Sequence, residues 1–293
     1  NINSAIAVDL PRRCIHEVFE AQVSRTPNSV ALLYRVSGYA TFSQVTLQDL
    51  NAQANQLAHY LIRQGVKKGD VVGICLDRTP LMIVALFASL KVGAIYLPLD
   101  VKHPYERLSF MLNDANAKVV LTEQAMQDVL FHTQHKLICL DCDWHLIAKQ
   151  PQTNLGWAID HEAGAYIIYT SGSTGQPKGI VGSHKSALNR FEWMWQTYPF
   201  SAGEYCCHKT VISFVDSIWE IFGPLLQGIP LLLIPEIIVQ DPAQFIEILA
   251  QAEISRIVLV PSLLDQLMQF EPNLSEKLPH LKIWSCSGEV LSQ

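Results

Sequence analysis

The stretch Tyr169–Gly179 (YTSGSTGQPKG) carries the densest set of phosphate-binding groups in the chain. Thr170, Ser171, Ser173 and Thr174 offer hydroxyls, and Lys178 adds a point charge. Gly172, Gly175 and Gly179 let the backbone turn tightly and approach a ligand closely. Hydroxyls, backbone N–H groups and one lysine on such a loop are how a chain cradles a polyphosphate. A solvated Gly/Ser linker is the competing reading. Against it stand the apolar run Ala165–Tyr169 just before the loop and the Pro177-Lys178-Gly179 stop just after it. The string is not GxxxxGK[ST], because Gly179 follows the lysine where that motif needs a hydroxyl for magnesium.

The elements that must position this loop follow from periodicity. Cys14–Arg25 puts Ile15, Val18, Phe19 and Val23 on one helical face. Val30–Tyr34 reads as a strand, and Leu47–Ile62 as a helix with a core stripe. Val71–Leu76, a helix opened by Pro80 and ended by Gly93, and Ala94–Leu99 give strand, helix, strand. The alternation continues through Glu106–Asn113, Val119–Thr122 and Ala165–Thr170. After the loop come helices at 186–195, 217–226, 245–252 and 263–270, the 245–252 helix opened by Asp241-Pro242. Strands at 230–235, 256–261 and 282–285 interleave with them. The expected class is α/β: two successive units with largely parallel sheets, residues 1–164 before the loop and 165–293 with and after it. Residues 134–156 are the least periodic and read as a surface excursion. His184, just past the loop, reads equally as a ligand contact or a packed histidine.

The totals exclude several functions. Of 293 residues 49% are apolar and 16% charged, enough to bury a large core. A net charge of −6 with no basic block argues against a nucleic-acid partner. The first ten residues lack the pattern of a signal peptide, and no apolar run is long enough for a bilayer, so a cytoplasmic location and no membrane partner are expected. Seven cysteines, an odd count without framework spacing, suit a reducing compartment. Cys139-Leu-Asp-Cys142 is a solitary CxxC and reads as two ordinary thiols. No metal ligand set is identified.

The loop Tyr169–Gly179 resembles the phosphate loop of the acyl-adenylate-forming superfamily, and the likeness extends from about Ile15 to Leu291. Asn51–Ala58, Leu90–Asp100, Pro104 and Glu106-Arg107 are similar to early core motifs of its peptide-synthetase members, with structural roles. The resemblance implies the large N-terminal part of an adenylation domain, which would use ATP and Mg²⁺. It would activate a small carboxylic acid as its adenylate, then pass the acyl group to the phosphopantetheine of a carrier protein among neighbouring synthetase domains. It places Lys178 and Thr174 as catalytic residues and Thr170, Ser171, Gly172, Ser173, Gly175, Gly288 and Glu289 beside the nucleotide. The family's magnesium-binding glutamate, ribose aspartate and small C-terminal domain with its lysine have no match, so this fragment alone is expected to fold but to turn over ATP poorly.

Substrate choice turns on Phe214–Trp219. Amino-acid-activating relatives read Phe-Asp-x-Ser, their aspartate pairing with the α-ammonium. Here Val215 stands in that place and the carboxylate falls at Asp216. A buried carboxylate without a cation is expensive. The shift resembles members that activate β-alanine and related β-amino acids, with Val215, Asp216, Trp219, Ser262, Trp284 and Cys286 as expected pocket residues. Asp216 as a helix N-terminal carboxylate is the structural alternative. Two other readings stay open: adenylation of a keto or other non-amino acid, and a nucleotide-binding module that has lost catalysis.

Overall fold

The computed structural model describes residues 12–36, 41–130, 133–170 and 176–290. Helix α1 (Ile15–Arg25) buries Ile15, Phe19 and Val23, the face that periodicity marks. β1 (Val30–Arg35) and β2 (Phe42–Thr46) pair antiparallel. Thr46 Oγ1 then accepts the Asp49 N–H to cap α2 (Leu47–Arg63). β3 (Val71–Cys75), α3 (Pro80–Val92) and β4 (Ile95–Pro98) follow. α3 is buried from Met82 to Val92, which is why it has no polar stripe, and Gly93 ends it at φ 75°. Next come α4 (Tyr105–Asp114) and β5 (Ala117–Thr122).

The expected surface excursion at 134–156 is a correction. It contains strand β6 (Lys136–Cys139) and helix α5 (Leu140–Ile147), with Ile138, Leu140 and Ile147 in the core. Both elements are too short to show a period. The rest of the stretch is tied down from α2: Asn55 Nδ2 donates to the Gln152 carbonyl at 2.6 Å, and Gln56 Nε2 to the Ala148 carbonyl at 2.6 Å.

β7 (Gly164–Thr170) and β8 (Lys178–Ser183) flank the loop, and α6 (His184–Thr197) follows. The remainder runs β9 (Cys206–His208), α7 (Asp216–Leu225), β10 (Leu231–Leu233), α8 (Glu236–Val239), α9 (Pro242–Gln251), β11 (Arg256–Leu259), α10 (Pro261–Phe270), α11 (Leu274–Lys277) and β12 (Ile283–Cys286).

Among the described residues the strands form two six-stranded sheets, ordered β6-β5-β3-β4-β7-β8 and β12-β11-β9-β10-β1-β2. Of these strands only β1–β2 and β7–β8 pair antiparallel. Sheet membership does not follow the division at residue 164: the hairpin β1–β2 joins the later strands, and β7–β8 complete the earlier sheet. The main core lies between the sheets. Val72 and Ile74 of β3 and Leu231 and Leu233 of β10 point into it, while Val71, Cys75 and Leu232 face outer clusters, the two-residue alternation of a strand. No described helix is long and apolar enough to cross a membrane.

Candidate functional site

The stretch expected to bind phosphate joins β7 and β8, which pair antiparallel. Thr170 and Lys178 are register partners at its base, and Tyr169 faces Gly179 one step down. Ser171, Gly172, Ser173, Thr174 and Gly175 lie outside the described residues. Both Thr170 and Lys178 are exposed, as ligand-facing groups must be. The hairpin is anchored from below: Tyr169 Oη donates to Asp114 Oδ2 at 2.6 Å. Toward the far end of β8 one position has no room for a side chain. A Cβ on Gly182 would lie 2.0 Å from Tyr166 Cζ, so only glycine lets β8 cross that ring. His184 proves to be packed. Its Nδ1 accepts the Ile15 N–H at 3.2 Å, and burial lowers its pKa to about 4.

The second part of the site is the N-terminus of α7. Ser217 Oγ donates to the Phe214 carbonyl at 2.6 Å and fixes the turn that leaves Phe214 and Val215 exposed. Asp216 is the first helical residue and accepts from Ser287 Oγ at 2.5 Å. It is not without a cation, since Arg190 Nη2 of α6 lies 3.9 Å from Oδ1; Arg190 is 57% exposed, so solvent screens the pair. Trp219, one turn on, stacks on Phe200 at 11° with centroids 6.3 Å apart. It lies flat along its own helix because Gly223 carries no Cβ; one there would sit 2.5 Å from the indole.

Ser285 pairs with Val258 across the β11–β12 ladder, and both line a narrow cavity of about 30 Å³ with Trp219, Met194 and Phe200. Trp284 packs instead against the outer cluster around Ile257 and Leu267, and Cys286 does not line the cavity. Side chains alternate along a strand, so Trp284 and Ser285 face opposite ways. Of the tryptophans, Trp219 walls this cavity. Ser287, missed in the sequence, continues the Ser285 face and reaches Asp216. Ser262 does not line the cavity either. It is bonded to Glu289, whose carboxylate accepts from Ser262 N–H and Oγ–H, each at 3.0 Å, at the start of α10. Gly288 provides the turn at φ 81°.

A larger cavity of about 460 Å³ opens where the carboxyl ends of strands from both sheets face each other, the usual ligand crevice of open α/β sheets. Asp77, Arg78 and Thr79 after β3, Asp100 after β4, His208 of β9 and Glu236 after β10 line it. Behind it Glu220 of α7 is fully buried. It accepts from His208 Nδ1 at 2.9 Å, from the N–H groups of Lys209 and Thr210, and from Thr210 Oγ1 at 2.8 Å. Burial opposes the charge of Glu220, but these donors and Lys209 hold its pKa down at about 2. Burial likewise keeps His208 below its usual value, so it is a neutral donor and Lys209, 3.7 Å away, supplies the balancing charge. None of these six polar residues was singled out in the sequence except Asp100, and a buried network built on Glu220 has no short-range signature.

Two mostly parallel sheets, with a crevice at their strand ends and a helix N-terminus beside it, define an α/β fold. Residues 19–293 match the family of AMP-binding enzymes, and the chain belongs to that family. Among its relatives, tyrocidine synthase 3 of Brevibacillus parabrevis is 36% identical over the whole of this chain. The Drosophila melanogaster beta-alanyl-bioamine nonribosomal peptide synthetase ebony is 34% identical, again over the whole of it. The chain spans only 4% and 36% of those two proteins. Of solved structures, the nonribosomal peptide synthetase FmoA3 in its AMPPNP-bound form superposes with a TM-score of 0.86 at 26% identity, over 95% of this chain and 29% of that one. The N-terminal subdomain of Klebsiella oxytoca NpsA shares the fold, with a TM-score of 0.82 at 23% identity over 97% of this chain and 70% of that one.

Proposed function

We propose that the protein activates a short β-amino acid such as β-alanine as its acyl-adenylate, with ATP as co-substrate, for transfer to the phosphopantetheine thiol of a carrier protein. The observation that carries this reading is the place of Asp216. Its carboxylate sits at the N-terminus of α7, held by Ser287, while the preceding position is the apolar, 57% exposed Val215. The substrate carboxylate must reach the α-phosphate whatever else it carries, so an anchor moved along the chain suits an ammonium one carbon further out. The name of ebony, a beta-alanyl-bioamine synthetase, agrees with this. The FmoA3 structure bound to α-methyl-L-serine-AMP supports the adenylate chemistry, there on an α-amino acid.

The chemistry is in-line attack of a carboxylate oxygen on the α-phosphorus, with pyrophosphate leaving, so the work of the protein is positioning and charge stabilisation. Residues 170–178 suit ATP: a hairpin closed by Thr170 and Lys178 offers hydroxyls, N–H groups and a cation to the β- and γ-phosphates, with Thr174 and Lys178 nearest the chemistry. Gly288 and Glu289 would border the base. Magnesium would come with the nucleotide, since at such sites it is held through the phosphates and one or two carboxylates rather than by an all-protein cage. Trp219, Ser285 and Val258 would close the acid pocket to a small side chain. The runner-up, a non-amino acid, draws on Arg190, which already gives Asp216 a cation. Acid-dependent ATP–pyrophosphate exchange by the full-length protein tests the proposal: β-alanine should support exchange, and a panel in which only keto acids do so would favour the runner-up.

A further inference from the structure

The CxxC segment lies at the carboxyl end of β6, the edge of its sheet opposite the β7–β8 hairpin. Cys139 ends β6 and stands at the N-cap of α5, and Cys142 is in its first turn. Asp141 joins them. Its Oδ1 accepts from the Cys139 thiol at 3.0 Å and from the Cys142 N–H at 3.1 Å, and the Gln124 N–H reaches both oxygens at 3.0 and 3.2 Å. The two sulfurs and a carboxylate oxygen lie within 4.8 Å of one another. Around a tetrahedral zinc such atoms stand about 3.5–3.8 Å apart, given Zn–S near 2.3 Å and Zn–O near 2.0 Å. Rotamer shifts of about an ångström would close that gap. Cys142 and Asp141 are exposed, so an ion has a path in. We propose that Cys139, Asp141 and Cys142 form a three-ligand site for a thiophilic divalent cation such as Zn²⁺, with water completing the tetrahedron. Binding would release the thiol protons of both cysteines to solvent, and the Oδ1 lone pair that now faces the Cys139 thiol would turn to the metal. The other cluster of this kind, Cys14, His16 and His184, lacks the same capacity: Ile15 N–H occupies His184 Nδ1, so Nε2 carries the proton and has no lone pair to offer.

Cobalt titration of the reduced, metal-free protein tests this by optical absorption. One equivalent of Co²⁺ should give sulfur-to-cobalt charge transfer and tetrahedral d–d bands, and one equivalent of Zn²⁺ should remove them. Cys142→Ser, at an exposed position that the fold tolerates, should weaken binding at least about a hundredfold. Asp141→Asn should weaken it less, and Cys286→Ser, a lone exposed thiol, should leave it unchanged. Absence of a charge-transfer band in the wild type would overturn the site. So would a band that persists undiminished in Cys142→Ser.

Discussion

Ser287 Oγ donates to Asp216 Oδ2 at 2.5 Å and so joins residues 71 apart in the chain, the end of β12 to the start of α7. This contact helps to fix where the Asp216 carboxylate points. Ser287→Ala should leave the fold intact and cost about 1 kcal/mol in kcat/KM for the amino acid, the usual net value of one hydrogen bond. Exchange kinetics on the acid and on ATP separately will show it: KM for ATP should not move.

Lys178→Ala should slow adenylation while thermal unfolding stays as in the wild type, because the side chain is exposed and its strand is anchored through Tyr169 and Asp114. Losing one charged hydrogen bond to a phosphate costs about 1.5–3 kcal/mol. An unchanged exchange rate at low and at saturating ATP would remove the phosphate-loop assignment.

Of the two substrates, Gly223→Ala should affect the acid and not ATP. Its Cβ would collide with the Trp219 indole and displace the wall of the narrow cavity. The expected result is a raised KM for the acid at near-normal KM for ATP, with a stability loss of about 1–3 kcal/mol from overpacking. Equal effects on both substrates would mean that Trp219 supports the fold and not the pocket.

Stability should fall with acid in two windows. Burial lowers His16 to about 3 and His184 to about 4, against an ordinary 6.5, so the unfolded chain takes up these protons first. Their contribution is complete above pH 6.5 and drains as pH falls toward 4 and then 3. Glu220, held at about 2 against 4.5, adds its loss only below pH 4.5. Urea midpoints at pH 7.5, 5.5 and 4.5 should therefore decline already between the first two. In His184→Gln that early decline should be shallower; a midpoint flat from pH 7.5 to 4.5 would contradict the neutral histidines.

Much of this architecture can be read from the chain alone, and the residues show where that stops. The face of α1, the uniformly apolar α3 and the Gly93 stop are local patterns, and the longer helices fall where periodicity puts them, whereas α5, α8 and α11 are too short to show a period. β8 escapes because Ile180 and Val181 are exposed, so its apolar residues mark no buried face. The crossing of β1–β2 into the later sheet is a pairing of residues some two hundred positions apart, such as Leu32 with Leu231. In the candidate site, Val215, Asp216 and Trp219 lie close together in sequence. Val258 and Ser285 meet Trp219 only through the β11–β12 register, which no local pattern shows. The partners of Asp216, Ser287 and Arg190, come from separate elements that only the fold brings together.

The central claim is that Asp216 anchors an ammonium displaced from the α position, and the Asp216→Asn variant of the full-length enzyme tests it most directly. Exchange kinetics should be measured for β-alanine, α-alanine and propionate in wild type and variant. A desolvated ammonium left without its carboxylate costs about 3–5 kcal/mol. The wild type should prefer β-alanine over α-alanine, and Asp216→Asn should lower kcat/KM for β-alanine at least about a hundredfold while changing propionate little. Equal losses for β-alanine and propionate, or a wild-type preference for α-alanine, would contradict the account and leave Asp216 as a carboxylate that serves its helix and Ser287 alone.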